Sequence, residues 1–469
     1  MVPRWMEWVA HRFGLDTFAD KVLHRRVPRT PWYYGDGATL MLLFVVQVVT
    51  GMLLSLTYSP TPDTAYESVQ YLTYQQMAGG FIRALHYWSA GLMVVMLFVH
   101  LFRLILVAAY KTPREGTWLV GVVMSLFVLA MSYTGYLLRW DERAVYGIKV
   151  ALHILQRVPL IGDGLVYFVQ GGTELGARTL TRFYSIHVLW MPLILLLLVA
   201  WHMYLVIIKG ITSPAERKQP VSSTEEHKEI YESAAHSEVR GQPFYPDAMF
   251  ESGAMAMVVF GIALVIAYLV GPPELYPEAN FVATSYPAEE WWFWWFSALV
   301  ALMPPSIAPS FALLFPIAIF LILILLPLVD RSPERGMRKR PIAVAIVVLC
   351  ILALLYLTDL RRRSPWTGWP DATPPPVPAG VTISADAERG RILFAQYGCT
   401  SCHAVSGEGR QVGSDLARLE RRYSREEIRA YTLHPPRGIS MPSYEGRISE
   451  EDLELVVDFV HVAQTFPRK

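Results

Sequence analysis

Two cysteines and a histidine near the carboxyl end of the chain have the spacing of a c-type haem attachment site. Cys399 and Cys402 enclose two residues, and His403 follows them directly. In this arrangement the two thiols can bond to the vinyl groups of a haem, and the imidazole can bind its iron. Met441 is the expected second axial ligand, with His434 as the alternative. A redox dithiol or half of a zinc site would also use such cysteines, although the sequence holds no second cysteine pair for zinc.

Four more histidines lie in strongly apolar runs, where an ionisable side chain is costly and usually has a function. His86 and His100 are 14 residues apart, and His187 and His202 are 15 apart. At about 1.5 Å per helical residue, each pair spans about 21 to 22 Å along its helix. This spacing predicts two bis-imidazole sites, one near each membrane surface, each formed by one histidine from each helix. The alternative is that each histidine is a polar residue satisfied within a helix bundle.

Four glycines repeat the vertical spacing of these histidines. Gly37 and Gly51 are 14 residues apart, as are Gly121 and Gly135. Because glycine has no side chain, a flat group can approach the backbone closely at each position. Helix packing would explain any one of them, but four glycines in register with the histidines favour two stacked macrocycles.

The runs that carry these residues are long enough to cross a membrane. Of the 469 residues, 53% are apolar and only 17% are charged, whereas soluble domains have roughly a quarter charged. A transmembrane helix needs about 20 apolar residues, and seven runs meet that need. We name them spans A to G: 33–57, 80–108, 116–138, 183–208, 249–270, 306–329 and 341–359. The predicted fold class is therefore all-α, a polytopic membrane protein in contact with lipid and without a nucleic-acid partner. Cys350, alone in span G, is expected to fill the core.

The loops between the spans differ in their content of lysine and arginine. The N-terminal segment and the B–C, D–E and F–G loops are rich in both, whereas residues 58–79 and 271–290 contain neither. Basic loops remain on the cytoplasmic side, so we expect a cytoplasmic N-terminus and, after seven spans, a C-terminus outside. The three arginines at 361–363 are an exception to this rule.

This orientation also pairs the histidines. Spans B and D both run inward, so the first histidine of each span lies near the outer side. We therefore expect His86 to pair with His187 on the outer side and His100 with His202 on the cytoplasmic side.

Residues 1–359 resemble cytochrome b of the bc1/b6f family, the Rieske/cytochrome b complexes. The resemblance rests on the stretches IRALHYWSAGLMVVMLFVHLFRL, TGYLLRWDE, LTRFYSIHVLWMPL and PLIGDGLVYFVQGG. Residues 381–469 resemble a class I cytochrome c through AERGRILFAQYG, the Cys-x-x-Cys-His motif and a late Met-Pro. Together these resemblances imply two b-type haems and one covalent c-type haem, with quinol and quinone as substrates.

The resemblance also implies a function in a respiratory chain. The family member would be the cytochrome b subunit of a bacterial quinol:cytochrome c oxidoreductase in the inner membrane, oxidising quinol on the outer side. Electrons would cross the membrane through the two b haems and leave outward through the c haem, generating a proton-motive force. The implied partners are a Rieske iron–sulfur protein, a further cytochrome c or other electron acceptor, and a second copy of the complex in a homodimer.

Six segments follow from the spans and the resemblance. They are 1–30, an amphipathic surface helix; 31–210, a four-helix di-haem bundle; 211–248, a cytoplasmic loop; 249–360, the C-terminal part of cytochrome b; 361–380, a Pro-rich linker; and 381–469, the cytochrome c domain.

The outer quinol site of the family, a Pro-Glu-Trp-Tyr motif, aligns with Glu289, Glu290, Trp291 and Trp292. The resemblance makes Glu290 the carboxylate that accepts a quinol proton. Tryptophans around a carboxylate remove water from it, so it binds a proton more readily than it would in solution. The alternative is a surface acid beside an aromatic belt. Tyr136 is also expected to contact quinol.

Other positions either take a role from the resemblance or depart from it. Asp247 would serve the inner quinone site, unless it is a helix N-cap. Arg83 and Arg103 would pair with haem propionates, unless they extend to lipid headgroups. Gly35 replaces a cysteine that tethers another haem in the chloroplast branch, so no third covalent haem is expected. Arg139 stands where proline is usual.

Two other functions are compatible with part of the sequence. A di-haem membrane anchor, linking a dehydrogenase to the quinone pool, explains four histidines but not spans E to G. A helical transporter with an electron-carrier tail explains the spans and the C-terminal motif, and it would show c-type absorbance without b-type absorbance.

Overall fold

The computed structural model describes residues 4–14, 22–279, 289–304, 306–363, 374–401, 403–409, 414–419, 421–435, 441, 443–446 and 448–467. Among these residues, seven helices are long and apolar enough to cross a membrane, which confirms the predicted number of spans and the all-α class. In the structure, spans A to G are Trp32–Ser55, Gly79–Leu106, Glu115–Leu137, Ala177–Lys209, Phe244–Leu269, Ala308–Val329 and Pro341–Arg363. Helices suit this environment because each satisfies its main-chain polar groups internally.

Shorter helices lie between the spans and at both ends of the chain. Their bounds are Arg4–Arg12, Pro62–Tyr74, Glu142–Gln156, Gly162–Gln170, Thr224–His236, Trp294–Ala301, Ala385–Gln396, Arg425–Leu433 and Glu450–Ala463. The strands are short: Arg26–Pro28 pairs antiparallel with Gly241–Pro243, and Ala404–Val405 with Glu408–Gly409. The first of these pairs ties the segment before span A to the segment before span E.

Span D changes its helical pitch where one of the histidines lies. Helix Ala177–Ser185 continues through a π turn at Ile186–Trp190 into helix Met191–Lys209. Pro192, which has no main-chain N–H to donate, follows this turn. Local π turns re-satisfy main-chain groups that a proline leaves unbonded within a membrane helix. His187 therefore lies on a distorted turn rather than on regular helix.

Spans A to D surround the four histidines. Span A packs against B, span C against D, and span E against both A and B. Between them lies an apolar cluster of Leu43, Phe44, Met93, Val94, Met96, Val128, Leu195 and Trp292. Gly35 is in close contact with span E, since a Cβ there would lie 2.9 Å from the carbonyl oxygen of Ser252. A larger side chain at this position would push span E away.

A buried ion cluster joins the B–C, D–E and F–G loops. Glu216 accepts a hydrogen bond from Arg114 at 2.7 Å and lies 3.4 Å from both Arg335 and His227. Glu216 and Arg335 are fully buried. Burial opposes the charge of this carboxylate, but the hydrogen bond with His227 and the charge of Arg114 outweigh it and lower the pKa of Glu216 to about 2. The three loops are therefore held together by an ionised Glu216.

The chain divides into two compact units. One consists of Met1–Trp140, Leu152–Leu275 and Glu290–Thr358, and the other of Asp141–Ala151, Tyr276–Glu289 and Asp359–Lys469. The second unit contains the C-terminal domain, where helix Ala385–Gln396 crosses helix Glu450–Ala463. Gly390 allows the crossing because a Cβ there would overlap the carbonyl oxygen of Leu455. Phe394 packs edge-on against Phe459, with 5.3 Å between ring centres.

Span G and the residues at its end differ from two predictions, the core position of Cys350 and the start of the linker, and they account for the three arginines at 361–363. Cys350 is exposed rather than in the core, because span G buries little of its surface in this chain. Span G continues to Arg363, so the linker predicted over 361–380 begins later, and its residues 364–373 lie outside the described residues. The arginines at 361–363 are all in ion pairs. Arg361 is bonded to Glu289 at 2.8 Å, and the other two contact Asp359.

Candidate haem-binding and quinol-binding sites

The structure brings together the histidines expected to pair on the outer side. The ring centres of His86 and His187 are 6.5 Å apart, and the ring planes are nearly perpendicular. Two metal–imidazole bonds of about 2 Å each, extended to the ring centres, need about 6 Å. A single metal ion could therefore bind both imidazoles with little movement. His100 and His202 line a second cavity together.

Each of the four glycines faces one of the four histidines. If the glycine had a Cβ, that atom would lie against Cε1 of the imidazole. The distances would be 3.3 Å for Gly51 and His86, 2.6 Å for Gly135 and His187, 3.7 Å for Gly37 and His100, and 3.3 Å for Gly121 and His202. The glycines thus give the imidazoles and any group bound to them access to the backbone of spans A and C.

Threonine hydroxyls hold the two outer imidazoles in one orientation. Thr50 Oγ1 lies 2.8 Å from Nδ1 of His86, and Thr134 Oγ1 lies 3.0 Å from Nδ1 of His187. Each hydroxyl donates its own proton to a main-chain carbonyl of its span, at 2.6 and 3.2 Å respectively. The hydroxyl therefore accepts from the imidazole, so Nδ1 carries the proton and Nε2 has a lone pair for a metal.

A carboxylate takes this role for one inner imidazole. Asp36 Oδ1 lies 3.1 Å from Nδ1 of His100. Arg103 donates to both oxygens of the same carboxylate, at 2.5 and 2.7 Å. For His202, whose Nδ1 is buried, no side chain of the described residues accepts a hydrogen bond, and the nearby group is the main chain of Thr117. The two inner imidazoles therefore have different surroundings from each other and from the outer pair.

Sequence reasoning missed Asp36, Thr50 and Thr134. Each directly precedes one of the glycines that face a histidine. A polar residue before a glycine in an apolar span was the available signal, and it is present at three of the four positions. The fourth glycine follows Val120, which has no side-chain acceptor.

Two cavities contain these histidines. The outer cavity has a volume of about 270 Å³ and the inner one about 660 Å³, near the range of about 300 to 1,000 Å³ typical of small-molecule sites. The four residues that line both cavities are all apolar: Phe44, Met93, Val128 and Leu195. This layer separates the two sites. The lining residues fit two flat, bis-histidine macrocycles.

The two arginines expected to contact haem propionates also line these cavities. Arg83 lines the outer cavity and Arg103 the inner one. Arg83 is only 7% exposed and donates to Thr73 Oγ1 at 3.2 Å. A side chain this buried does not extend to lipid headgroups, which favours the propionate role over the alternative. Arg103 also forms an ion pair with Asp36, and the sequence did not predict this contact.

Glu290 also lines the outer cavity, where two side chains hold its carboxylate. Tyr87 Oη donates to Oε2 at 2.6 Å, and Arg139 Nη1 donates to Oε1 at 3.4 Å. The guanidinium of Arg139 also lies 4.4 Å from the ring centre of Tyr136. These two contacts fix the position of the carboxylate at the wall of the cavity. Arg139, which stands where proline is usual, thus contacts Glu290 directly.

A glycine of span B makes room for the tryptophans next to Glu290. A Cβ on Gly91 would lie 2.6 Å from the indole of Trp291 and 2.9 Å from that of Trp292. Trp292 is buried, lines the outer cavity and packs 5.3 Å from the ring of Tyr87. Trp291 packs against Trp292. Trp292 and Tyr87 therefore place aromatic rings in the wall of the cavity that Glu290 also lines.

Two other residues expected at the quinone sites have different surroundings. Glu289 is bonded to Arg361. Asp247 is exposed, and it is its neighbours Phe244 and Ala248 that line the inner cavity. Asp247 does not cap the helix, because no side chain caps either the π turn Phe244–Ala248 or the helix Met249–Leu269 that continues it.

The C-terminal domain orients His403 for metal binding. Its Nδ1 lies 2.9 Å from the carbonyl oxygen of Ser414, which leaves Nε2 for iron. Burial lowers the pKa of His403, against the effect of this hydrogen bond, and so favours the neutral ligand form. Met441 is half-buried, whereas the side chain of His434 is 64% exposed and lies 3.4 Å from Glu445. This difference favours Met441 as the second ligand. Cys402 lies outside the described residues.

Comparison with known proteins identifies the family. The family model described as cytochrome b/b6/petB matches residues 24–210. Cytochrome b6 of Cyanidium caldarium is 34% identical over 214 residues, which is 45% of this chain and 100% of that protein. The chain belongs to the cytochrome b/b6 family. Cytochrome b6 of Prochlorococcus marinus (strain NATL1A) is 37% identical over 209 residues, 44% of this chain and 96% of that protein.

The other comparisons extend the match to most of this cytochrome b chain. The model described as cytochrome b(C-terminal)/b6/petD matches residues 278–369, and the model described as cytochrome C oxidase, cbb3-type, subunit III matches 385–460. A solved structure titled hyperthermophilic respiratory Complex III is similar, with a TM-score of 0.66 and 26% identity over 76% of this chain and 91% of that one.

Both halves of cytochrome b and a cytochrome c domain therefore occur in one chain. The chain is a quinol-oxidising, electron-transferring, multi-pass membrane subunit with haem cofactors, and its family assembles with an iron–sulfur subunit. Neither a transporter nor a di-haem anchor accounts for the match over 278–369.

Proposed function

We propose that this chain is the cytochrome b subunit of a bacterial quinol:cytochrome c oxidoreductase that carries its own c-type electron acceptor. The complex lies in the inner membrane with its N-terminus in the cytoplasm and its cytochrome c domain outside, as the basic loops favour. Its partners are a Rieske iron–sulfur protein, a further cytochrome c or other acceptor, and a second copy of the complex in a homodimer.

The observation that carries this proposal is the set of residues that line the outer cavity. Glu290, His86 and His187 line the same space. Oxidation of a quinol releases two protons and two electrons, so a site for it needs a proton acceptor and an electron acceptor at one substrate. Glu290, held by Tyr87 and Arg139, takes one proton. Tyr136 and Trp292 form walls of the site.

Histidines at three places hold the electron carriers. His86 with His187, and His100 with His202, bind two b-type haems, which supply one-electron carriers on the two sides of the apolar layer. Gly37, Gly51, Gly121 and Gly135 leave space for the rings. Arg83 and Arg103 pair with the propionates, a role supported by their position in the walls of the two cavities. In the C-terminal domain Cys399, Cys402, His403 and Met441 hold the covalent c-type haem. Quinol oxidation outside and quinone reduction inside then separate charge across the membrane.

Replacing Glu290 with glutamine tests the role of its carboxylate. We expect Glu290→Gln to slow quinol oxidation by about 100-fold or more, since a positioned general base contributes about 10² to 10⁴. The haem spectrum should not change, because Glu290 is not one of the residues assigned to hold a haem. Turnover of purified complex with a soluble quinol and cytochrome c measures the effect.

Glu274→Gln is the matched control. Glu274 is an exposed acid of the same E–F loop, and its replacement should leave turnover close to that of the wild type. Wild-type turnover in Glu290→Gln, or an equal loss in both variants, would refute the assignment of Glu290.

A further inference from the structure

The four bundle histidines differ in what accepts the proton of Nδ1. For His86 and His187 the acceptor is a neutral threonine hydroxyl. For His100 it is the carboxylate of Asp36, and His202 has no side-chain acceptor at Nδ1 among the described residues. A full negative charge thus acts on one imidazole, on the inner side.

Asp36 is fixed tightly in this position. It is fully buried, and a buried carboxylate must be paired and hydrogen-bonded. Arg103 provides two of its bonds, and the main-chain N–H of Gly37 donates to Oδ1 at 2.7 Å. Arg103 Nη2 lies 3.3 Å from Nδ1 of His100, so the guanidinium and the imidazole share Oδ1.

We propose that Asp36 is a positioning residue that orients His100 and makes the inner b haem harder to reduce. The inference rests on the proposed function, because it needs a haem at His100 and His202. A carboxylate that accepts from Nδ1–H makes Nε2 more basic, and a more electron-rich ligand stabilises ferric over ferrous iron. Hydrogen bonding of this kind is one of the ways in which proteins set haem potentials.

The charge of Arg103 acts in the same direction when Asp36 is removed. In the wild type Asp36 balances this guanidinium across two hydrogen bonds. Without the carboxylate, the net charge beside the inner site becomes more positive by one unit, which favours the reduced iron. Loss of the basic acceptor and loss of the counter-charge therefore both raise the potential of the inner haem.

Redox titration of Asp36→Asn tests the proposal. Wild-type membranes should titrate as two b components, and the inner one is the component that disappears in His100→Leu. In Asp36→Asn we expect the reduction equilibrium constant of that component to rise about tenfold. This is the size of the smaller effects on metal affinity or activity when a hydrogen-bond partner of a ligating histidine is removed. For a one-electron couple this corresponds to about 59 mV. The outer component should not move.

Thr50→Val is the matched control on the outer side. It removes a neutral acceptor from His86 and should change the equilibrium constant of the outer haem less than threefold. Both haems present in Asp36→Asn with an unchanged inner potential would overturn the proposal. If Asp36→Asn loses the inner haem, the redox titration is repeated with Asp36→Ser, which keeps a neutral oxygen at this position. An unchanged inner potential in that variant would likewise overturn the proposal. Loss of the inner haem in both Asp36→Asn and Asp36→Ser would mean that Asp36 has only a structural role, and this result would also overturn the proposal. Fewer than two b components in the wild type would instead refute the haem sites of the proposed function.

Discussion

The sharpest prediction compares the same substitution at two of the glycines that face histidines. Gly135→Ala would place a Cβ 2.6 Å from Cε1 of His187, whereas Gly37→Ala would place it 3.7 Å from Cε1 of His100. Ordinary van der Waals contact begins at 3.4 Å, so His187 or span C must move by about 0.8 Å in the first variant and neither must move in the second.

A shift of this size matters because metal–ligand distances tolerate only about 0.2 Å. Overpacking of a well-packed interior costs about 1 to 3 kcal/mol. If that cost falls on haem binding, affinity at the outer site falls about 5- to 150-fold. Any gain in helix propensity from glycine to alanine is the same in both variants, so the comparison cancels it.

Transfer of haem to excess apomyoglobin measures the effect. We expect b-type haem to leave the outer site of Gly135→Ala about 5 to 150 times faster than in the wild type, and to leave Gly37→Ala at the wild-type rate. The covalent c haem remains in place and serves as the internal standard for protein concentration. Equal rates for the two variants would refute the reasoning, because it would mean that these distances do not report the space around the bound haem.

Two further predictions concern ion pairs. Arg139→Gln should lower kcat for quinol oxidation about tenfold, because it removes the guanidinium that helps to position the carboxylate of Glu290. Arg139→Lys should recover most of the rate. Steady-state kinetics of variants with full haem content measure this, and an unchanged kcat in Arg139→Gln would contradict the prediction. Glu216→Gln should destabilise the protein by about 3 kcal/mol at pH 7, since it leaves Arg335 buried without its anion, whereas Glu232→Gln, in an exposed pair, should cost less than about 1 kcal/mol. The pKa of Glu216 is lowered to about 2 from an ordinary 4.5, so its stabilisation is present above pH 4.5 and is lost as the pH falls toward 2. Thermal unfolding in detergent at pH 7 and at pH 3 measures both effects, and an equal melting temperature for Glu216→Gln and Glu232→Gln would refute the second prediction.

The spacing of the histidines and glycines was predictable from the sequence because it depends on local geometry. A helix rises by a constant distance per residue, so positions 14 and 15 residues apart define two levels without any knowledge of how the helices pack. The same holds for the number of spans, which depends on the length of each apolar run. The structure confirmed that number and brought His86 and His187 within reach of one metal ion.

The partners of these groups depend on packing between spans, and only the tertiary structure decided them. Asp36 and Arg103 are 67 residues apart in the chain, and Tyr87 and Glu290 are 203 apart. Adjacent acids received different partners: Glu289 bonds to Arg361, while Glu290 bonds to Tyr87 and Arg139. Helical periodicity says which face of a span a residue occupies, but a hydrogen bond needs two atoms placed within about 3 Å. The relative rotation and height of neighbouring spans set that distance, and these follow from how all their side chains pack together.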